Sequence, residues 1–274
     1  MTRISRRRGS IGLASAHPYT DDAAVVVDEA RHAEQLGFAT LWRSGNLPML
    51  EAAVRATDTI PVATGIIPVS AVPAADVITT YTGLQRDHPG RFIVGLGGAR
   101  DSHPLATLHT YLDELGASGV PAGSRILAAL GPRMLALARD RADGAYPYLV
   151  TPSYVSAARD VLGDERQLAV LLMVIPVTDR EHARRAAAEP LAFLTKVGGY
   201  RRNLRRLGFR VTDIDDVSDR LLDGITAWGD IEAIAARVAE YHEAGASQVV
   251  VRIVGVEDVA AWRVRLADAL IPDG

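Results

Sequence analysis

The chain contains no cysteine, which removes disulfides, thiolate metal sites and cysteine nucleophiles from consideration. It leaves the compartment open, with the cytoplasm as the default expectation. Charge of one sign is also missing: 30 Lys and Arg stand against 33 Asp and Glu, for a formal net charge of -3. With no basic field to attract a polyanion, nucleic acid is not an expected partner. No apolar run approaches the length of a membrane span. The N-terminal stretch carries Arg3, Arg6, Arg7 and Arg8 ahead of Ile11-Gly12-Leu13-Ala14. As a secretory leader its apolar part is too short, and His17, Pro18, Asp21 and Asp22 follow at once, so Ile11 to Ala16 reads as a first strand. The 7 histidines show neither H-x-H nor H-E-x-x-H spacing, so no metal site is expected. Aromatic residues make up only 5%; Trp42 and Trp228 stand out among them, and both read as packing residues.

What is present is apolar residue content of 48% spread over 274 residues, a length that suits one α/β barrel of about 250 residues. A single domain over residues 1–274 is expected. Short β-branched or apolar runs alternate with longer amphipathic ones, the pattern of βα units. Strands are expected at Ile11 to Ala16, Thr40 to Ser44, Val62 to Ile67, Phe92 to Gly97, Ile126 to Leu130, Tyr146 to Val150, Leu168 to Val174 and Gln248 to Val254. That is the number a closed (β/α)8 TIM barrel needs. Asp21-Asp22 opens a helix that closes at Gly37, and Asp230 caps one whose Ile231, Ile234, Val238 and Tyr241 share a face before Gly245. From about residue 178 to 224 the rhythm breaks into basic, helical-patterned sequence without a clear strand, which reads as a helical insertion before the last strand.

Barrel ligands sit at the C-terminal ends of the strands, so the residues just after each strand are the candidates. They are Arg43, Ser44, Gly45 and Asn46; Gly65, Ile66 and Ile67; Gly97 to His103; and Gly131 to Met134. Leu130-Gly131-Pro132-Arg133-Met134 places glycine at a strand end and proline at the first helical position. Free amides at that helix start suit a phosphate, with Arg133 beside them; an ordinary tight turn is the alternative. Gly95-Leu96-Gly97-Gly98-Ala99 lacks the third glycine of a dinucleotide loop, where Arg100 stands instead. Glycines there let a flat ring lie close to the backbone. His17 and His103 follow strand ends, where an imidazole can pass a proton or bind substrate. The basic group Lys196, Arg201, Arg202, Arg205 and Arg206 is either a clamp for an acidic ligand or a solvated helix face.

Arg86-Asp87-His88-Pro89-Gly90-Arg91-Phe92-Ile93-Val94-Gly95-Leu96-Gly97 resembles the G-R-F-x-x-G-L-G strand of luciferase-like monooxygenases and F420-dependent oxidoreductases. Ala129 to Leu135, Arg141 to Pro152, Tyr200 to Phe209 and Ala227-Trp228-Gly229-Asp230 extend the resemblance over most of the chain, nearest to the F420-dependent subgroup. The resemblance implies a luciferase-like barrel, commonly a homodimer, with a flavin-type ring across the strand ends and a non-prolyl cis peptide falling at Gly65-Ile66. It implies cofactor contacts at Ser44, Gly65, Ile66, Gly97, Gly98, Gly131, Pro132, Arg133 and Met134, those from Gly131 to Met134 on the phosphate. Several F420-dependent relatives carry an Asp-His pair after the second strand and a glutamate after the fourth; here those places read Gly45-Asn46 and Gly98. Asn46 and His103 are therefore the catalytic candidates. The function implied is hydride transfer between reduced coenzyme F420 and a small or medium organic substrate with a C=C, C=N or C=O bond. An FMN-dependent monooxygenase is the alternative, and a non-catalytic cofactor-binding barrel is the rival from another class.

Overall fold

The computed structural model describes residues 9–98, 103–196 and 198–272. Its strands are β1 (Ser10–Ala14), β2 (Leu41–Arg43), β3 (Val62–Thr64), β4 (Ile67–Pro68), β5 (Phe92–Gly97), β6 (Arg125–Leu127), β7 (Gly144–Ala145), β8 (Gln167–Ile175), β9 (Thr226–Trp228) and β10 (Gln248–Ile253). Every pairing is parallel, and β1, β2, β3, β5, β6, β7, β8 and β10 form a closed ring. Closure is made by β10, whose Val249 lies opposite Ile11 on one side and Val170 on the other. This is an eight-stranded TIM barrel.

Side-chain parity explains the strands' near-continuous apolar sequence, since both faces are buried. Along β8, Leu168, Val170, Leu172 and Val174 pack outward under the helices, while Ala169, Leu171, Met173 and Ile175 fill the interior. Along β10, Val249 and Val251 face the helices and Val250 faces inward. The helices are α1 (Ala23–Gln35), α2 (Leu47–Arg55), α3 (Ala74–Asp87), α4 (Pro104–Ala117), α5 (Pro132–Arg141), α6 (Pro152–Leu162), α7 (Arg180–Leu194), α8 (Gly198–Arg206), α9 (Val211–Asp215), α10 (Asp219–Ile225), α11 (Ile231–Glu243) and α12 (Val259–Leu270). Asp22 caps α1 through the amides of Ala24 and Val25, and Asp230 caps α11 through that of Ala233. Gly37 and Gly245 follow these two helices at φ 77° and 106°, a left-handed turn that glycine adopts without steric cost.

Three elements differ from the sequence expectation. The expected third strand is split at Gly65-Ile66, a cis peptide bond, into β3 and β4. The expected strand over Tyr146 to Val150 pairs earlier, at Gly144–Ala145. Gly144 permits this, because a Cβ there would lie 1.8 Å from the Gln167 carbonyl oxygen; the Tyr146 amide still bonds the Leu127 carbonyl of β6, and the chain meets β8 again where Tyr148 lies opposite Leu171. The stretch after β8 does hold α7 to α10, yet it leads first to a short strand, β9, which pairs with the end of β8 from Met173 to Ile175.

Arg43, a candidate by its place at a strand end, points outward instead. Its Nη1 lies 2.6 Å from Glu29 Oε2, and Arg263 of α12 and the Ser15 hydroxyl bind the same carboxylate. All four side chains are buried. The cluster ties α1, β2 and α12 together, and it engages the Arg43 guanidinium on the helix side of the barrel wall.

Candidate functional site

Beneath the barrel mouth Trp42 and Tyr146 stack flat, with centroids 3.9 Å apart and ring planes 6° from parallel. Offset stacking of two large rings adds to their burial. The Trp42 indole N–H donates to Gln248 Oε1 at 3.0 Å, so the pair is fixed from β2 and β10 together. Gly12 makes room for them: a Cβ there would lie 2.9 Å from that same Oε1.

Above this floor, the Gly65-Ile66 bulge and the end of β5 form a shelf. Gly65 is exposed at the mouth, with its Cα resting on the Tyr146 ring; a Cβ would come within 3.0 Å of it. Ile66 reaches over β5, where Gly97 leaves it space, and Gly98 follows at φ 68°, exposed. Gly45 lies under the bulge, where a Cβ would stand 2.8 Å from Ile67 Cα. Packing thus accounts for glycine at this position.

The second feature of the mouth is the start of α5. Gly131 occupies the capping position with no side-chain cap, and Pro132 opens the helix. The Arg133 and Met134 amides therefore have no intrahelical acceptor. Tyr154 fixes the preceding turn by donating to the carbonyls of Ala129 and Leu130 at 3.1 and 3.2 Å. Burial raises the pKa of that hydroxyl, with Arg206 pulling the other way. Arg206 comes from α8 and places its guanidinium 3.6 Å from where a Gly131 Cβ would be. It donates to Asn203 Oδ1 at 3.2 Å, and the buried Asn203 Nδ2 has no partner. A guanidinium facing a residue without a side chain, at a helix start with two free amides, makes an anion cradle, and the side chain that orients the guanidinium carries the orphaned amide donor.

The third feature is a wall of tyrosines. Tyr200 of α8 meets Tyr148 edge-on at 6.2 Å and 87°. Burial pushes the Tyr148 hydroxyl up to about 12, with Arg252 pulling it back, and burial likewise raises Tyr146 and Tyr200. All three phenols are therefore neutral hydrogen-bonding groups at neutral pH.

The sequence candidates fall as follows. Gly65, Ile66, Gly97 and Gly98 meet at the shelf; Gly131, Pro132, Arg133 and Met134 form the α5 start. Ser44 is half-buried at the end of β2. Asn46 caps α2 by accepting from the Met49 amide and donates to Asp21 Oδ1 at 2.6 Å, so both ends of its amide are engaged. His103 is exposed at the capping position of α4 without capping it, while Ala99 to Ser102 lie outside the described residues. His17 is also exposed; its carbonyl accepts from Arg43. In the basic group, Arg201 is held by Asp215 at 2.6 Å, whereas Arg206 turns to the α5 start. Sequence reasoning missed Tyr146, Tyr148, Tyr200 and Arg252. Arg252 left a signal, a charge in an otherwise apolar strand. Among the described residues no group of three or more His, Asp or Glu side chains forms a metal centre. A separate cleft of about 740 Å³ opens between the first turns of α7 and α11 and the flank of α12, lined by Val177, His182, Ile231 and Trp262 among others. It includes none of the mouth residues.

Residues 123–248, a little under half of the chain, match the model of the luciferase-like monooxygenase family. No curated protein matches the sequence. Among solved structures, the chain is similar to the coenzyme F420 dependent tetrahydromethanopterin reductase from Methanopyrus kandleri, with a TM-score of 0.74, 17% identity, and 96% of this chain and 99% of that one covered. It is similar to an F420-dependent secondary alcohol dehydrogenase in complex with an F420-acetone adduct (TM-score 0.73, 15% identity, 96% and 98% covered). It also resembles the oxygenating constituent of 3,6-diketocamphane monooxygenase from the CAM plasmid of Pseudomonas putida, in complex with FMN (TM-score 0.70, 14% identity, 96% of each chain covered). At these identities the likeness is one of fold.

Proposed function

We propose that this luciferase-like barrel is an oxidoreductase that passes a hydride between reduced F420 and a small or medium organic substrate with a C=C, C=N or C=O bond. The observation that carries the proposal is the joint placement, at one mouth, of a glycine shelf and an anion cradle. A flat ring and a phosphate are the two ends such a mouth suits. The Arg133 and Met134 amides, Arg206 and the Asn203 amide would hold the phosphate, and Gly65, Ile66, Gly97 and Gly98 would face the ring, with Ser44 at its edge. When bound, the deazaflavin supplies or takes up the hydride. Tyr146 backs the shelf and Tyr200 shields the far wall from water. His103, at the open rim, supplies or positions the proton that accompanies hydride transfer, and Asn46 holds the α2 end of the mouth in place. The reading carries with it a homodimer.

The description of the matched family as monooxygenases, and the FMN in one of the similar structures, favour a second reading in which FMN occupies the same cradle. A side-by-side fluorescence titration of apoprotein with F420 and FMN tests the two. Tight F420 and weak FMN binding supports the first reading. Preference for FMN replaces it with the oxygenase, and binding of neither points to a barrel without redox function.

A further inference from the structure

Arg252 lies on β10, opposite Met173 of β8. Parity with Val250 turns it inward, toward the same space as Met173. It is half-buried, and no carboxylate among the described residues lies within ion-pair distance of it. Tyr148 meets Leu171, two residues before Met173 on β8, and its hydroxyl, from a residue 4% exposed, interacts with the Arg252 guanidinium but makes no hydrogen bond of ordinary length. A half-buried cation without a carboxylate and a buried hydroxyl without a close acceptor or donor leave hydrogen-bonding capacity unused, and an anion beside them would take it up. The guanidinium fork matches the two oxygens of a carboxylate, and the phenol offers a third donor. This place is distinct from the anion cradle at α5, which follows β6; β7 and β8 stand between β6 and β10 in the ring.

From this geometry we infer that Arg252 and Tyr148 form a subsite for a carboxylate of the substrate, so that the substrates of the proposed reaction are organic acids. The inference rests on the oxidoreductase reading for what the acid is bound for, but not for whether it binds.

Benzoate and its neutral counterpart benzamide are suitable probes, titrated by calorimetry into the wild type, Arg252→Gln, Arg252→Lys and Tyr148→Phe. Wild type binds benzoate at least about tenfold more tightly than benzamide, Arg252→Gln loses about tenfold or more for benzoate alone, and Tyr148→Phe loses several-fold, as expected for hydrogen bonds to a charged group. Arg252→Lys keeps the charge but not the fork, so its benzoate affinity falls between those of wild type and Arg252→Gln, which separates loss of charge from loss of fold. F420 affinity stays within about twofold of wild type in Arg252→Gln if the guanidinium serves substrate alone, a change smaller than one such hydrogen bond produces. Equal affinity of wild type and Arg252→Gln for benzoate, or equal affinity of wild type for benzoate and benzamide, overturns the subsite. So does a loss of F420 affinity in Arg252→Gln, which would make the residue part of the cofactor site. Failure of wild type to bind either F420 or FMN, with benzoate still selected through Arg252, sinks the oxidoreductase reading and sustains this one.

Discussion

Replacing Arg206 by glutamine removes the cation from the α5 cradle while keeping a side chain of similar reach. The guanidinium stands 3.6 Å from the place a Gly131 Cβ would take, so an anion on the free amides would receive at least one charge-assisted hydrogen bond from it. Such bonds contribute about 1.5–3 kcal/mol when shielded from water. Arg206 is exposed and its charge is screened by salt, so we take roughly 1–1.5 kcal/mol, or about a five- to tenfold rise in Kd. The assay is a fluorescence titration of the bound cofactor at low and high ionic strength. Wild type should lose more affinity with added salt than Arg206→Gln, because the variant has less charge to screen. Arg201→Gln is the control: it removes the same charge from the same helix, but from a guanidinium already held by Asp215. Equal affinities for wild type and Arg206→Gln, or an equal loss in Arg201→Gln, would refute the cradle.

Glu29→Gln leaves two buried guanidinium groups without their shared carboxylate, a loss of about 3–5 kcal/mol that should lower Tm by roughly 6–20 °C in a chain of this size. A calorimetric melt close to that of wild type would show that the cluster is not the buried ion pair described. Glu34 accepts from the Asp58, Thr59 and Ile60 amides at 3.0, 2.5 and 2.9 Å; partial burial raises its pKa, and these bonds outweigh that and hold it at about 2. Its folded pKa is thus below the unfolded one, so its stabilisation is present above the unfolded value of 4.5 and is lost as pH falls toward 2. Urea titrations across that window should show a shallower pH slope for Glu34→Gln than for wild type, and parallel curves would contradict the assignment. His103→Ala should cut turnover about a hundredfold or more if the imidazole passes the proton while cofactor Kd is unchanged; full turnover in that variant would remove His103 from the chemistry.

Much of the barrel was legible because both strand faces are buried and helix starts carry their own chemistry. Val62-Ala63-Thr64 and Leu168 to Val174 can only be interior strands, and Asp22 and Asp230 are caps wherever the chain goes. The shelf and the α5 turn were legible for a similar reason, since glycine and proline act on local backbone. Residues brought together by closure left little trace. Tyr148 and Tyr200 belong to segments 52 positions apart in the sequence, and nothing in either predicts that the rings meet. Arg252 has neighbours on both sides that are apolar, so no period along β10 reveals its face until the register with β8 is known. The shift of β7 to Gly144–Ala145 was hidden because the approach of Gly144 to Gln167 is set by the partner strand. β9 is three residues long, too short for a pattern.

The ring is completed by β10, the last strand in chain order, and this gives the protein an order of assembly. While the nascent chain is still short of Gln248, β1 and β8 each present an open parallel edge, Trp42 has no acceptor for its indole N–H, and the mouth has no Arg252. The pairing of β1 with β10 spans almost the whole chain, a long-range contact of the kind that forms slowly. A ribosome-bound intermediate is therefore a barrel with a gap, open to chaperones at that seam, and it acquires its floor anchor and its inward-facing charge in the same step that shuts the gap.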